Sequence, residues 1–248
     1  MERSLYKYRT ELHAHTSPAS RCGHISSAEL VKIYSEKGYD SMVITNHFTH
    51  DMEYVQDKRK CIDSYLADFY TAAEAGERYS LNVILGAEIR FSENWNDYLV
   101  YGIDTNFFEN AYEYLNAGIC EFSKDFRGED IVLLQAHPFR DGMERTDIKY
   151  LDGIEVFNMH PGHNSRIAMA AQYAKSCGCI AIAGSDCHDY GCEGLCAILT
   201  KERPKDSHDV AKALKQRDYL LDVGGFLVEP PMYSDGVLPT ASLNTFVK

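Results

Sequence analysis

Two pairs of metal-binding residue types lie at opposite ends of the chain, His13 and His15 near its start and Asp186 and His188 near its end. Alternate residues of a β-strand point to the same face, so each pair can offer two side chains to one centre. The apolar run at residues 180–183 before Asp186 is typical of a buried strand that delivers a site at its tip. The fold must therefore bring the two ends of the chain together, and a metal-dependent hydrolase is the first hypothesis.

The size and composition fit one globular domain. A chain of 248 residues with 45% hydrophobic and 25% charged residues can form a single large α/β barrel, so we expect one domain over residues 1–248. The formal net charge of −12 works against tight binding of nucleic acid, because such binding depends on Lys and Arg that neutralise phosphates. Bound metal cations would reverse this sign locally, so a small anionic substrate is still compatible with the charge.

The start of the chain and its cysteines indicate a reducing compartment. The sequence has no apolar run of the ~18 residues that a membrane span needs and no secretory signal, so we expect a cytoplasmic protein without a membrane partner. Eight cysteines are present, but spacings such as Cys177 with Cys179 and Cys192 with Cys196 do not make the CxxC pairs of a structural zinc site. We therefore expect free thiols.

Short apolar strands alternate with amphipathic helices, which predicts parallel βα units rather than a sandwich. Strands are predicted to end near residue 12 and to cover residues 41–45, 82–87, 98–103, 131–136, 153–157, 179–183, 195–199 and 219–223. Helices are predicted at residues 26–37, 62–79, 111–126, 165–176 and 208–215, the first with Ser26 as its cap and Glu29 reaching back. The prolines in residues 226–248 predict an extended surface tail.

Potential metal ligands stand at the ends of predicted strands throughout the chain. They are His13 with His15, His47, Glu88, His137, and Asp186 with His188. Barrel enzymes build their active sites at this edge of the sheet. Any one of these histidines could be a hydrogen-bonded rim residue, but ligand types at so many strand ends indicate a metal centre.

The donor types also predict the kind of metal. Histidines with carboxylates suit Zn, Mn or Fe rather than Ca, which takes oxygen ligands. The sequence supplies more donors than one tetrahedral ion takes, so we expect two or three divalent ions. Glu88, a carboxylate among histidines, is the natural bridge between neighbouring ions.

The ligand motifs resemble, in the family's order, those of the polymerase and histidinol phosphatase (PHP) family. They are residues 11–16 (ELHAHT), 44–47 (ITNH), 86–88 (GAE), 136–138 (AHP), 153–156 (GIEV) and 184–188 (GSDCH). The resemblance implies an α/β fold of the PHP type, a distorted (β/α)7 TIM-like barrel that holds up to three metals. It implies one ion on His13, His15, Glu88 and Asp186, a second on Glu88 and His137, and a third on His47 and His188.

Three positions depart from the family pattern. Cys22 stands in a loop where members often have Asp or His, and since thiolate binds zinc well and His24 lies two residues on, the third site keeps possible donors. Asn46 stands where the family usually has Asp, which removes one negative charge near the cluster. Asp97 stands where many members have His, and we take it as a ligand of the second ion; the alternative is an exposed turn residue after Asn96.

Further residues are candidates for contact with the substrate. Arg140 follows His137 closely and can grip phosphate oxygens through its planar guanidinium; the alternative is a rim salt bridge to Asp141 or Glu144. Arg90, two residues past Glu88, is a second and weaker candidate for phosphate binding. His160 and His163 lie in a loop between a strand and a helix, where they could face the substrate or protonate a leaving group.

These residues together predict hydrolysis of a small phosphate monoester by a hydroxide that the metals activate. Glu88, Asp186 and His160 are the catalytic candidates, and the expected partner is a small phosphorylated metabolite. Histidinol phosphate, a sugar phosphate and a nucleotide are all compatible. The sequence fixes neither the substrate nor the oligomeric state.

Three alternatives stay open. An amidohydrolase barrel also opens with His-x-His and closes with Asp, but it usually bridges its metals with Lys, so Glu88 and His188 argue against it. An exonuclease-type phosphodiesterase shares the chemistry, yet the net charge of −12 and the lack of a basic, aromatic-interleaved groove weaken it. A metal-stabilised regulatory module without turnover becomes the better interpretation if Cys22 and Asn46 have dismantled the third site.

Overall fold

The computed structural model describes residues 2–230, in which helices alternate with short strands. The strands are β1 (Tyr8–Glu11), β2 (Ser41–Ile44), β3 (His47–Thr49), β4 (Asn82–Leu85), β5 (Ala87–Arg90), β6 (Asp97–Tyr101), β7 (Val132–Gln135), β8 (Gly153–Asn158), β9 (Ile180–Gly184), β10 (Cys196–Thr200), β11 (Tyr219–Val223) and β12 (Phe226–Val228). The α-helices are α1 (Ser27–Glu36), α2 (Lys58–Tyr79), α3 (Phe107–Ala111), α4 (Ile119–Phe126), α5 (Ile167–Cys177) and α6 (Ser207–Gln216).

The strands pair in two six-stranded sheets, in the orders β12-β11-β10-β1-β2-β4 and β3-β5-β6-β7-β8-β9. This confirms a mixed α/β fold. Each order is linear, so the closed (β/α)7 barrel stays a prediction. Parallel pairing, as predicted, joins β1 to β2, β2 to β4, β3 to β5, β7 to β8 and β8 to β9. It does not extend to the whole of either sheet, because β6 is antiparallel to both of its neighbours and β10 is antiparallel to β1.

The two sheets meet along shared segments of chain. The Gly86 N–H donates to the Ile44 carbonyl at 3.0 Å, and the Glu88 N–H donates to the Asn46 carbonyl at 3.1 Å, so the pairing of β2 with β4 passes directly into that of β3 with β5. A parallel bridge between Ala14 and Cys187 joins the residues that follow β1 and β9. These junctions place the segments after β1, β2, β4 and β9 side by side.

Two predicted elements are each divided in the structure. The strand predicted at residues 82–87 becomes β4 and β5 on either side of Gly86, where a Cβ would lie 2.6 Å from Val43 Cγ1. The helix predicted at residues 111–126 breaks at Gly118, whose φ of 92° suits glycine, and α4 begins there with the Ile119 N–H donating to Glu93 at 2.9 Å. Contacts with residues distant in the sequence, Val43 and Glu93, thus accompany the division of both elements.

The ends of other elements also differ from the predictions. Helix α2 begins at Lys58, because Asp57 caps it by accepting the Lys60 N–H at 3.2 Å. Ser26 is the N-cap residue of α1, as predicted, but its side chain makes no capping hydrogen bond. The first residues of the predicted tail, Phe226–Val228, form an extended strand that pairs with β11, and residues 231–248 lie outside the described part of the chain.

The buried core supports the junction between the sheets. The Tyr65 hydroxyl of α2 lies 3.0 Å from the Asn46 carbonyl and 3.2 Å from the Gly86 carbonyl, at the points where the strands divide. The Tyr101 hydroxyl donates to the Leu12 carbonyl at 2.9 Å from the opposite side. All eight cysteines are free thiols, as predicted. Across residues 2–230 no helix has the length and hydropathy to cross a membrane.

Candidate metal centre

The predicted ligands converge at strand ends, five of them just after a strand. His13 and His15 follow β1, His47 begins β3, Glu88 lies in β5, Asp97 begins β6, His137 follows β7, and Asp186 with His188 follows β9. All are buried except His47 and His188, which are partly exposed. The fold thus brings the two terminal pairs and the intervening donors into one cluster.

Glu88 occupies the middle of this cluster. Its Oε1 lies 3.3 Å from Nε2 of both His13 and His137. Its Oε2 lies 3.2 Å from His15 Nε2 and 3.0 Å from His47 Nδ1. Neither oxygen accepts a well-oriented hydrogen bond from the described residues. A buried charge without hydrogen bonds is costly, and cations between the carboxylate and the imidazoles would remove that cost, so the donor set fits divalent ions.

The rings of His13 and His15 point their Nε2 atoms at each other, 3.0 Å apart. The second nitrogen of each ring is occupied, since His13 Nδ1 lies 2.8 Å from Glu155 and His15 Nδ1 lies 3.1 Å from Ser20 Oγ. A neutral imidazole that donates from Nδ1 carries a lone pair on Nε2. Two lone pairs at this distance require a cation or a shared proton, and histidine ligands of metals are typically held in this way.

We expect Glu155→Gln to weaken metal binding about 10- to 100-fold, the usual effect of losing an outer carboxylate partner. Glutamine keeps the length of the side chain, but it cannot offer a charged acceptor to His13 Nδ1 and to the His137 N–H, which lies 3.0 Å from Glu155 Oε2. Competition with a chelator for Zn²⁺ measures the change. Glu144→Gln, at an exposed loop position, is the control. Equal affinity in Glu155→Gln and the unmodified protein would contradict this role.

The potential ligand atoms form three overlapping groups. His13, His15 and Glu88 form the first, His47, Glu88 and Asp97 the second, and His15, His47 and His188 the third, each with its ligand atoms within 4.8 Å of one another. Asp186 Oδ1 approaches the first group, 3.3 Å from His13 Nε2. His137 Nε2 lies between Glu88 and Asp97, 3.8 Å from the latter. The first and third groups share ligands with the sites that the family resemblance implies, whereas the second contains His47 in place of His137.

Asp97 is buried, so it is not the exposed turn residue of the alternative interpretation. Arg90 holds it through two hydrogen bonds of 2.7 Å, from Nε and from Nη2. Arg90 also lines the cavity over the cluster, but these two donors are no longer available to a phosphate. In the structure Arg90 is therefore the ion-pair partner of Asp97.

The two loop donors predicted for the third site lie in different surroundings. Cys22 is exposed, lines the cavity and interacts with His47. It falls in none of the three ligand groups. The His24 ring is turned away toward Asp189, with Nδ1 at 2.5 Å from Oδ1. Cys22 is thus near the cluster, whereas His24 is not brought to it.

A cavity of about 680 Å³ opens over the cluster, and Arg140 forms part of its wall. Arg140 Nη2 donates to Asp186 Oδ2 and, at 2.9 Å, to Asn158 Oδ1. The predicted alternative, a salt bridge to Asp141 or Glu144, was wrong: the ion pair runs to Asp186. The guanidinium is therefore anchored beside the cluster and faces the cavity.

His160 and His163 also line the cavity. His160 Nδ1 accepts the Gly162 N–H at 3.0 Å, so a neutral His160 carries its proton on Nε2. The two rings lie 4.6 Å apart, and the His160 ring lies 5.6 Å from that of His188. Burial lowers the pKa of both His160 and His163, and nearby Arg140 lowers both further.

The family model described as PHP domain matches residues 11–229. This chain belongs to the PHP domain family. The match confirms the resemblance drawn from the sequence motifs, and it covers both terminal ligand pairs. No curated protein matches the chain.

Solved structures share the fold of this PHP domain. One is a two-domain protein from Bacteroides vulgatus ATCC 8482 containing a predicted PHP-like metal-dependent phosphoesterase, with a TM-score of 0.60 and 17% identity over 90% of this chain and 67% of that one. Another, from Bifidobacterium adolescentis ATCC 15703, is named as a candidate metal-dependent phosphoesterase, with a TM-score of 0.51 and 17% identity over 73% of this chain and 88% of that one. A sequence identity of 17% shows that these proteins share the fold and does not by itself show a shared activity.

Burial and opposite charge act against each other in the cluster of the PHP domain. Burial alone would raise the pKa of Glu88 and Asp186, but the surrounding histidines, with Arg140 beside Asp186, hold both values well below the usual range. Burial would lower the pKa of His13 and His47, but the adjoining carboxylates raise it well above 6.5. Without metal, protons on these histidines would take the place of cations.

We expect the metal-free PHP domain to be most stable near pH 6.5. The raised pKa of His13 and His47 contributes stability that is present below their ordinary value of 6.5 and is lost as the pH rises through the raised values. Burial lowers the pKa of His188 to about 3, so stability also falls below pH 6.5, where the unfolded chain takes a proton that folded His188 does not. Urea unfolding across pH, with and without Zn²⁺, measures the free energy of unfolding on both sides of pH 6.5. Bound metal should remove the loss of stability above pH 6.5. Metal-free protein whose stability rises steadily above pH 6.5 would contradict this prediction.

Two of the potential ligands have a left-handed backbone conformation. His137 and Asp186 have φ angles of 30° and 51°, values that residues with a side chain rarely adopt. His137 lies two residues after the end of β7, and Asp186 lies two residues after the end of β9. Such conformations persist when their surroundings determine them, and they are typical of functional sites.

Several supporting residues were missed from the sequence. Glu155 and Asn158 of β8 hold His13, His137, Asp186 and Arg140, although residues 153–156 were part of a recognised motif. Glu11 is buried and accepts the N–H groups of His13 and Ser185, each at 3.0 Å. For Glu11 the available signal was strand parity, because it shares a face with His13. For Glu155 the signal was its strand, which pairs with the strand before Asp186.

Proposed function

We propose that this PHP domain is a metal-dependent phosphoesterase that hydrolyses a small phosphate monoester. The observation that carries the proposal is Glu88, a buried carboxylate with both oxygens free of hydrogen bonds and surrounded by imidazoles at the base of a cavity. The descriptions of the two solved structures, which name a metal-dependent phosphoesterase, agree with it. His13, His15, His47, Glu88, Asp97, His137, Asp186 and His188 would hold two or three ions of Zn, Mn or Fe.

Bound ions would supply a nucleophilic hydroxide at neutral pH and neutralise phosphate charge. Arg140, anchored by Asp186 and Asn158, would orient the phosphate through its guanidinium. His160, with its proton on Nε2, would donate to the leaving oxygen, and His163 beside it would contact the same part of the substrate. Glu155 would keep His13 in the tautomer that binds metal.

The cavity and its charges favour a small metabolite over nucleic acid. A volume of about 680 Å³ lies in the range of small-molecule sites. Its lining carries Asp51, Glu53 and Asp189 beside Arg21, and this mixed charge differs from the basic groove that a long phosphate backbone needs. Histidinol phosphate, a sugar phosphate and a nucleotide all fit this description. An exonuclease-type phosphodiesterase and a regulatory module without turnover are the alternatives, and a cytoplasmic location stays a prediction.

We expect Arg140→Ala to lower kcat/KM by about 10- to 100-fold, mainly through a higher KM. A hydrogen bond from a charged group contributes about 1.5–3 kcal/mol, and each 1.36 kcal/mol is about tenfold. Steady-state kinetics with elemental analysis separates phosphate binding from metal loss, since metal content should not change. Arg59→Ala, on the exposed face of α2, is the control. Unchanged KM together with lost metal would instead make Arg140 a support of Asp186.

The substrate class can be tested by hydrolysis of a panel of esters, measured as released phosphate for monoesters and as released p-nitrophenol or mononucleotide for diesters. The panel holds histidinol phosphate, sugar phosphates and nucleotides as monoesters, with bis(p-nitrophenyl) phosphate and single-stranded DNA as diesters. We expect turnover of a monoester by metal-loaded protein and none after Glu88→Ala. Preference for DNA ends would favour the exonuclease, and turnover of no ester at full metal content would favour the regulatory module.

A further inference from the structure

Asn46, the residue that departs from the family pattern before His47, is buried directly behind His15. Its Oδ1 accepts the Thr16 N–H at 2.7 Å and the Ser20 hydroxyl at 2.9 Å. Its Nδ2 donates to Thr16 Oγ1 at 2.8 Å and to Asp68 Oδ2 at 3.1 Å. Every polar atom of the amide is therefore used, and none faces the cavity.

The chemistry of its partners fixes the orientation of this amide. The Thr16 backbone N–H can only donate, so the oxygen of Asn46 must face it. The NH₂ group must then face Asp68, a buried residue of α2 that also accepts the Thr16 hydroxyl. Asp68 thus supplies the negative end of a chain of hydrogen bonds that runs from α2 toward the ligand cluster.

The chain of hydrogen bonds continues from Asn46 through Ser20 to His15. Because an amide oxygen can only accept, the Ser20 hydroxyl proton goes to Asn46. Ser20 Oγ then has only lone pairs left, which accept the His47 N–H at 3.0 Å and face His15 Nδ1 at 3.1 Å. His15 must therefore carry its proton on Nδ1 and present an unprotonated Nε2 to the cluster.

We propose that Asn46 and Asp68 are positioning residues that set the tautomer of His15 through Ser20. The residue directly before His47 is thus an amide, and the carboxylate of the hydrogen-bond network is that of Asp68. This inference rests on the metal centre of the proposed function and is independent of the substrate.

The residue types at positions 46 and 68 depend on each other, because the amide of Asn46 donates to the carboxylate of Asp68. We call these two residues a matched pair. An aspartate at 46 would set a carboxylate oxygen against Asp68 Oδ2, where Nδ2 now lies 3.1 Å away. Both groups are buried, so the like charges would repel strongly. Exchanging the two groups would keep one amide, one carboxylate and the acceptor for Ser20.

The exchange gives a direct test. We expect Asn46→Asp to weaken Zn²⁺ binding about 10- to 100-fold in a chelator competition, as for other outer partners of metal ligands. We expect the double variant Asn46→Asp with Asp68→Asn to recover most of that loss, with Asp68→Asn alone as the reference for removing the carboxylate. Wild-type affinity in Asn46→Asp, or a double variant no better than Asn46→Asp, would overturn the matched pair.

A second measurement needs no variant of the pair. Long-range ¹⁵N–¹H correlation spectra of metal-free protein, with the His15 signals assigned by a His15→Gln variant, report which nitrogen carries the proton. We expect the proton on Nδ1 of His15. A His15 ring whose Nδ1 carries no proton would overturn the inference even if the exchanged variants fail to fold. Neither readout uses phosphate release, so absence of phosphoesterase activity would leave this test intact.

Discussion

Glu88→Ala is expected to remove at least two metal ions from each chain and to abolish ester hydrolysis. The carboxylate lies 3.0–3.3 Å from nitrogen atoms of four histidines, so we expect it to serve more than one ion at once. The variant leaves those imidazoles without a counter-charge, and repulsion between them adds to the loss of a ligand. Elemental analysis of protein purified with excess metal gives the number of ions retained.

Glu74→Ala is the matched control for this variant, because Glu74 is an exposed residue on α2 far along the chain from the ligand motifs. It should keep the metal content and activity of the unmodified protein. Unchanged metal content in Glu88→Ala would show that Glu88 does not bridge ions. Loss of a single ion would place Glu88 in one site only.

Asp186→Asn is expected to lower kcat at least about a hundredfold and to cost one ion. Loss of an outer partner of a metal ligand already costs about 10- to 100-fold, and loss of a ligand should exceed that. Asp186 Oδ1 lies 3.3 Å from His13 Nε2 and 3.4 Å from His15 Nε2, and its Oδ2 accepts from Arg140 and Asn158. An amide at this position would weaken the metal site and set an NH₂ group against one of these donors.

Asp189→Asn removes one negative charge from the rim of the same cavity without touching the cluster, so it controls for the change in charge. We expect it to keep full metal content and nearly full kcat. Kinetics and elemental analysis are measured on both variants. If the two variants lose activity equally, the net charge of the cavity, and not coordination by Asp186, would explain the effect.

The sequence predicted most of the ligand cluster because strand parity and strand ends are local properties. His13 with His15 and Asp186 with His188 were predicted from the two-residue period of a strand, but in the structure both pairs lie just after β1 and β9 and not within them. The ends of apolar runs therefore located these pairs as well as Glu88 and His137. The family motifs then ordered them. The structure brings all of them together as predicted, whereas their individual roles in binding ions stay predictions.

Other features depend on partners distant in sequence, which no local pattern records. Arg90 looked free to bind phosphate, but its partner Asp97 lies across the antiparallel pair of β5 and β6. The antiparallel setting of β6 was itself missed, because apolar composition does not give strand direction. Asp68 looked like one polar residue of a long amphipathic helix, and only the packing of α2 sets it against Asn46.

The most direct test of the central hypothesis is a titration of metal-stripped protein with Zn²⁺ or Mn²⁺, in which phosphate release from the best monoester is measured against ions bound per chain. We expect no release from the stripped protein and activity that rises as two or three ions bind. Activity that survives stripping, or a fully loaded protein that hydrolyses no phosphate ester, would contradict a metal-dependent phosphoesterase.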